Sequence, residues 1–363
     1  MEWNGLREKG LELLSRLAEA HGAPGREHSV RRIFREELGS VETDRMGNVF
    51  SIAKGSQDQP RIMVSGHMDE VGFVVQSIQK SGLIRFLPLG GWWSNTLLAQ
   101  RVRILTRDGK EIPGVIGAKP PHFLSDTERD KVMKVEDMFI DVGAANGEEV
   151  RRDFGIRPGD SIVPYSPFST LRNPDYLLCK AFDNRVGMAL TIQVLQMLRG
   201  LDHPNTVYGV GTVQEEFGMK GGQTAVQTVN PDAAIVLEGT PADDFPGVPE
   251  EEQQGALGKG VQIRIQDPSA IMNSEFVEYA LKMAQSQGIP HQVAVRRSGG
   301  TDAKPIQLHR HGVPTIVLGV PARYIHTHNS IIHTGDYLSA LQLIVAIVQQ
   351  MDTRVWGRLT SFS

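Results

Sequence analysis

The chain has 363 residues, 40% of them hydrophobic and 22% charged, with a formal net charge of −4 and a single cysteine. It exceeds the roughly 250 to 300 residues at which single cores stop growing, so two domains are expected. No stretch approaches the roughly 18 apolar residues of a membrane span, acids and bases are interspersed with no basic stripe for phosphate backbones, and one thiol cannot form an internal disulfide, which together exclude membrane, nucleic-acid and disulfide-framework classes.

The opening segment MEWNGLREKGLELLSRLAEAHG spaces Leu6, Leu11, Leu14 and Leu17 as an amphipathic helix. It is charged throughout, unlike a signal peptide, so the chain is expected in the cytoplasm. The apolar run Ile62, Met63, Val64 predicts a buried strand that runs into SGHMDEVG, where His67, Asp69 and Glu70 crowd within four positions. From residue 72 to residue 165 the texture changes to short strands and turns. KSG and RDGK read as hairpin turns, RPGDSIVPY as a turn into a last strand, and no long helix is apparent. This predicts an all-β insertion over residues 72–165 inside an α/β domain built from residues 1–71 and 166–363. Within it, LPLGGWWSNTLLA places Trp92 beside Trp93, where one at least is expected to be exposed at a subunit contact.

After the insertion, LLCKAF reads as a strand ending at Asp183, and its Cys179 as a structural core thiol. NRVGMALTIQVLQMLRGL predicts a helix with Val186, Leu190, Val194, Leu195 and Leu198 on one face. VYGVGTV, AAIVLEG, QVAVRR and PTIVLGV read as strands, the last three as buried ones, and YLSALQLIVAIVQQM as a closing helix.

In an open α/β sheet, residues remote in sequence converge where the strands end. Here the strand-like runs finish at His67 and Asp69, at Asp183, at Glu215 and Glu216, at Glu238 and, shortly after the last, at His326. One such end is ordinary turn chemistry; five ending in metal-ligand residue types are not. Two imidazoles and three carboxylates suit a pair of zinc-like ions, each held by one His and one terminal carboxylate, with a third carboxylate shared. Asp183 is the natural bridge, short and set at a helix start, where it could equally serve as an N-cap. Asp69, two residues beyond His67 on the same side, can take the proton on the other imidazole nitrogen. Glu215 and Glu216, as neighbours on extended backbone, point apart, so one can ligate while the other faces the attacking water. His309, His311, His328 and His333 read as surface or capping residues, with His328 an alternative to His326. Dinucleotide, phosphate-loop and nucleophilic-serine motifs are missing: GVGTVQ lacks a third glycine, and neither Ser65 nor Ser298 stands in a GxSxG turn.

SGHMDEVGF, AFDNRVG, VQEEFGMKGG, SGGTDA and RYIHTH occur in that order. With them the chain resembles the tetrahedral aminopeptidases, a family that includes glutamyl and deblocking aminopeptidases and proteins labelled cellulase M. The resemblance implies a zinc-peptidase-like mixed sheet flanked by helices, with an inserted β-barrel used in dimer contacts and dimers assembling to a tetrahedral dodecamer. It implies a metal-dependent aminopeptidase acting on short peptides with two divalent metal ions per subunit, zinc foremost and cobalt or manganese as alternatives. Carried over, His67 and Glu238 complete one metal site and Glu216 and His326 the other, with Asp183 shared, Glu215 as general base, Asp69 behind His67 and Asp302 on the substrate side; His122 belongs to the insertion. Glu238 stands where many relatives have Asp, an exchange that elsewhere in the clan accompanies carboxypeptidases and deacylases, and Ser330 where many have Glu. Besides those hydrolases, an endoglucanase and a metal-stabilised assembly protein without turnover are the competing expectations. Glu215, a carboxylate spare to the ligand count, argues against the last.

Overall fold

The computed structural model describes residues 3–361. Its centre is four parallel strands in the order Thr206–Thr212, Arg61–His67, Ala233–Pro241 and Thr315–Arg323. Helices cover both faces, which is why these runs are apolar throughout rather than alternating. Antiparallel strands extend the sheet at Val49–Lys54 on one side and at Ser330–His333 and Tyr176–Cys179 on the other. Val261–Asp267 also pairs with Thr315–Arg323 and carries His291–Val295 beyond it.

Two elements differ from the sequence expectation. QVAVRR is not a buried strand: His291–Val295 lies at an open edge, where Val293 and Val295 are 42% and 48% exposed. On that edge the Val295 N–H donates to Gln254 Oε1 at 2.8 Å. The helix Phe182–Leu198 is buried not on one face but almost all round, because it lies between the sheet and the helices Trp3–Glu19 and Thr334–Gln350.

Six strands, Gly72–Ile78, Ile84–Leu89, Phe139–Asp141, Glu111–Gly117, Arg101–Leu105 and Ser161–Pro164, close in that order into an antiparallel barrel. Phe73, Phe86, Ile104, Ile116, Ile140 and Ile162 fill it, forming an apolar core separate from that of the sheet. The hairpins turn at residues 79–83 and 106–110, where KSG and RDGK stand. Among the described residues no helix is long and apolar enough to cross a membrane.

Just before the chain enters the barrel, a buried charge cluster ties the end of the Arg61–His67 strand to the first helix and to the turn that precedes Phe182–Leu198. Glu70 is 1% exposed and accepts from Lys180 Nζ at 2.7 and 2.8 Å and from Arg185 Nη2 at 3.0 Å. Arg185 and Lys180 also donate to the Ala20 carbonyl at 3.0 and 3.1 Å, and the Glu70 N–H donates to the Gly22 carbonyl at 2.9 Å. The carbonyl-rich end of the first helix thus shares two cations with Glu70. Truncating Glu70 would strand both cations without their anion. Glu70→Ala is therefore expected to cost about 3 to 5 kcal/mol of stability in urea unfolding. A loss below about 1 kcal/mol would show that the junction does not depend on this cluster.

Candidate metal centre

The parallel register brings the predicted donors together. Thr212 pairs with His67, and Val236 with Ser65, a register that continued two residues sets Glu238 against His67. His67 Nε2 lies 3.3 Å from Asp183 Oδ1, 3.6 Å from Glu238 Oε2 and 3.8 Å from Glu215 Oε2. His326 Nε2 lies 3.4 Å from Asp183 Oδ2 and 3.2 Å from Glu216 Oε1. The two oxygens of Asp183 therefore face two different imidazoles. Ligands about 2.0 to 2.1 Å from a tetrahedral ion stand about 3.3 to 3.4 Å from one another. The imidazole-to-carboxylate separations of 3.2 to 3.6 Å lie near that edge length, and the donors of His67, Asp183 and Glu238, and of Asp183, Glu216 and His326, lie within 4.8 Å of one another, so each set suits a hard or borderline divalent ion.

Local structure explains how such groups are held. The strand Tyr176–Cys179 ends before Asp183, and Ala181 turns the chain with φ 57°. Asp183 and Asn184 are non-helical within the first turn of the helix that follows, and their shared peptide is cis. The N-cap is Asn184 rather than Asp183: its Oδ1 accepts from the Gly187 N–H at 3.0 Å. The same oxygen accepts from Gly239 N–H at 3.1 Å, while Nδ2 donates to the Leu237 carbonyl at 2.6 Å. Asn184 thus clamps the residues on either side of Glu238 and leaves the Asp183 carboxylate to the two imidazoles.

Asp69 acts differently from its expected pairing with the imidazole. His67 Nδ1 donates to the Asp69 backbone carbonyl at 3.0 Å, with the carboxylate Oδ1 farther off at 3.5 Å. That bond occupies Nδ1 and turns Nε2 toward the cluster. The Asp69 carboxylate accepts the Glu215 and Glu216 N–H groups, both at 3.0 Å. Those two glutamates are not on a strand, which stops at Thr212; Gln214 is left-handed at φ 52°, and a turn, not strand alternation, sends their carboxylates to different imidazoles.

Burial opposes charge on every group here, and the outcome depends on neighbours. It would lower His67, but hydrogen bonds with Asp183 and Asp69 and the charges of Glu215 and Glu238 hold that imidazolium well above its ordinary range. His326, likewise opposed by burial, is pushed up to about 11 by Glu216 and Asp183. Asp183 is held well below the usual carboxylate range by the two imidazoles despite its burial. Glu215, Glu216 and Glu238 are raised, first by burial and then by other carboxylates. Divalent cations would relieve this crowding of acids.

The donors line a cavity of about 530 Å³ together with Gly91, Met219, Arg264, Ser298 and Ile325. Asp302 is absent from that lining. It is 2% exposed, accepts from Thr212 Oγ1 at 2.6 Å and sits against Gly222, where a Cβ would come within 2.5 Å of its Oδ1. It stands behind the cluster instead of on the substrate side, and burial raises it to about 6. His328 is neither a surface residue nor a substitute for His326: it is 1% exposed against Trp92, with ring centroids 5.6 Å apart. His333 does cap, accepting the Gly335 N–H at 3.1 Å, and Ser330 pairs in the sheet with Cys179. Burial pushes the Cys179 thiol up to about 12, an inert state. Asn184, Gly91 and Arg264 went unread in the sequence. Only Asn184 carried a signal there, as an N-cap residue type in AFDNRVG.

The family model for M42 glutamyl aminopeptidase matches residues 47–343. The chain is 36% identical over 353 residues to the glutamyl aminopeptidase of Lactococcus lactis subsp. cremoris, covering 95% of this chain and 98% of that one. The TET aminopeptidase of the marine sediment archaeon Thaumarchaeota archaeon SCGC AB-539-E09 superposes with a TM-score of 0.94 at 41% identity, over 97% and 99% of the two chains. The TET1 peptidase of Pyrococcus horikoshii, which can assemble into a tetrahedron or a large octahedral shell, superposes with a TM-score of 0.83 at 29% identity, over 94% and 100%.

The cluster's protons give a test of cation binding. His326, raised to about 11 without a cation, carries a proton at pH 7 that a ligating Nε2 must lose. Zinc binding to metal-free protein should therefore release protons at pH 7, and its apparent affinity should rise as pH rises toward the raised imidazole value and fall on acidification. Calorimetry in two buffers of different ionisation enthalpy measures the release; equal heats in both would contradict it.

Proposed function

Since the chain belongs to the M42 glutamyl aminopeptidase family, we propose that it is a dinuclear metallo-aminopeptidase of the cytoplasm that removes N-terminal residues from short peptides. The observation that carries this reading is Asp183, whose two oxygens face His67 at 3.3 Å and His326 at 3.4 Å. In this reading His67 and Glu238 hold one ion, Glu216 and His326 the other, and Asp183 both. Zinc suits the donor set, with cobalt and manganese as alternatives. Bound there, the ions supply Lewis acidity that polarises the scissile carbonyl and makes water acidic.

Glu215 is the general base. Its carboxylate lines the cavity 3.8 Å from His67 and is spare to both ligand sets, so it can take a proton from the attacking water and give it up. The water oxygen bonds to the carbonyl carbon, the carbon–nitrogen bond breaks, and Glu215 delivers the proton to the departing amine. Four carboxylates line the cavity against one guanidinium, Arg264, itself paired with Asp267 at 3.0 Å. With that guanidinium engaged, the lining residues offer no free Lys or Arg for the C-terminal carboxylate a carboxypeptidase must bind. An endoglucanase would hold two carboxyls about 5 to 9.5 Å apart across a sugar. Here the donor atoms of Asp183, Glu216 and His326 all lie within 4.8 Å of one another.

The reading divides the chain into a catalytic domain, residues 1–71 and 166–363, and a barrel, residues 72–165, that carries a contact between subunits of a dimer or tetrahedral dodecamer. Exposed apolar side chains on the barrel support this: Trp93 is 65%, Phe123 71% and Val132 64% exposed. A cytoplasmic setting also suits the lone buried Cys179. Light scattering of Trp93→Glu should show a smaller particle than the parent, and an unchanged mass would count against this contact.

The two glutamates separate mechanism from ligation. Glu215→Gln should keep both ions while turnover of aminoacyl chromogenic substrates falls about 10²- to 10⁴-fold. Glu216→Gln should lose occupancy of one site and recover part of its activity in excess metal. Metal analysis beside kinetics at several metal concentrations reads both, and the reverse pattern would exchange the two roles. Full chelation should abolish peptide hydrolysis; activity that survives it sinks the metallopeptidase reading.

A further inference from the structure

His326 lies on a loop between Thr315–Arg323 and Ser330–His333, 35% exposed and with a left-handed backbone at φ 57°. Neither strand fixes its ring. The hydrogen bond that orients the ring comes from the inserted barrel, where the Gly91 carbonyl lies 2.9 Å from His326 Nδ1. A carbonyl only accepts, so Nδ1–H donates and Nε2 is presented to Asp183 and Glu216. The approach is close: a Cβ on Gly91 would stand 3.3 Å from Nδ1.

The Gly91 carbonyl is in turn set by the residue that follows. The Trp92 ring stacks on Phe73 with centroids 4.6 Å apart and an interplanar angle of 22°, and its Nε1–H donates to the Gly72 carbonyl at 3.0 Å. Trp92 also meets His328, two residues beyond His326. Among the described residues neither ring nitrogen of His328 has a hydrogen-bond partner, so ring contact is what places it. Consecutive barrel residues thus grip alternate residues of the ligand loop, Gly91 on His326 and Trp92 on His328.

We propose that Trp92 is a positioning residue for His326, and that the inserted barrel thereby sets the geometry of one metal site, that of Asp183, Glu216 and His326, leaving the site of His67 and Glu238 to the sheet. This rests on the dinuclear reading above, and the experiment separates the two. Metal-free protein is titrated with zinc against a chromogenic chelator, for the parent and for Trp92→Ala, Trp92→Phe and Gly91→Ala, with thermal unfolding alongside.

The parent should bind two ions. Trp92→Ala should weaken one binding step about 10- to 100-fold, the usual effect of losing a ligand's outer support, and leave the other unchanged. Trp92→Phe, which keeps a flat ring between Phe73 and His328, should restore most of the lost affinity. Gly91→Ala should weaken the same single step by crowding His326, and it decides the matter should Trp92→Ala not fold. Unchanged affinities, or two steps weakened equally, overturn the proposal. A parent protein that binds fewer than two ions overturns the dinuclear reading instead.

Discussion

The Glu70 carboxylate and its two buried cations hold the structure's working parts in register. Asp69 and Glu70 are consecutive; the first turns toward the cluster and the second away from it, onto Lys180 and Arg185. Those cations stand three residues before and two residues after Asp183. One ionic contact therefore fixes the end of the His67 strand against the turn that carries the bridging carboxylate. It also ties both to the first helix through the Ala20 and Gly22 carbonyls. A buried ion cluster of this kind gains little over well-packed apolar residues, but it accepts few alternative arrangements. Its contribution is geometric definition at a place where three segments of the α/β domain meet.

Around that anchor the cluster is assembled against its own electrostatics. Carboxylates that repel one another are held by bonds the backbone supplies: Asp69 grips the turn of Glu215 and Glu216, and Asn184 clips the Asp183 turn to both sides of Glu238. Each holding group is buried and engaged through more than one bond, which limits how far the donors can move relative to one another. That is the arrangement preorganised ligation requires.

Much of this was legible in the sequence because strand ends are legible. Apolar runs of a fixed kind mark the strands, and the residue just past each run falls at the shared edge, which is how His67, Glu238 and the Glu215–Glu216 pair could be named together. The barrel was visible through its turns. What escaped reading depends on partners distant in the chain. Asn184 and Asp183 are equally good caps on paper, and only the approach of Leu237 and Gly239 selects between them. Glu215 and Glu216 do diverge, but through the left-handed Gln214 and not the strand alternation that predicted it. Asp302 and His328 have the polarity of exposed groups and are buried by elements no local pattern reveals. Val293 and Val295 look like core because hydrophobicity cannot say on which side a strand lacks a neighbour.

That last strand has a consequence of its own. An uncovered strand edge offers its row of amides to any passing chain. Here the Val295 amide is already taken by Gln254, and the Gln292 side chain is bound three times to the segment that runs alongside, through Ala256 N–H, the Ala256 carbonyl and the Gly260 carbonyl. Two glutamine side chains hem the sheet. Unlike the lysines and acids that commonly guard such borders, they carry no charge themselves, but the segment alongside is held by carboxylates, Asp243 accepting the Gln254 and Gly255 N–H groups and Asp336 those of Gly258 and Gly260. Burial raises Asp336 to about 7, so mild acid that protonates it should weaken those charge-assisted bonds and loosen the hem from behind.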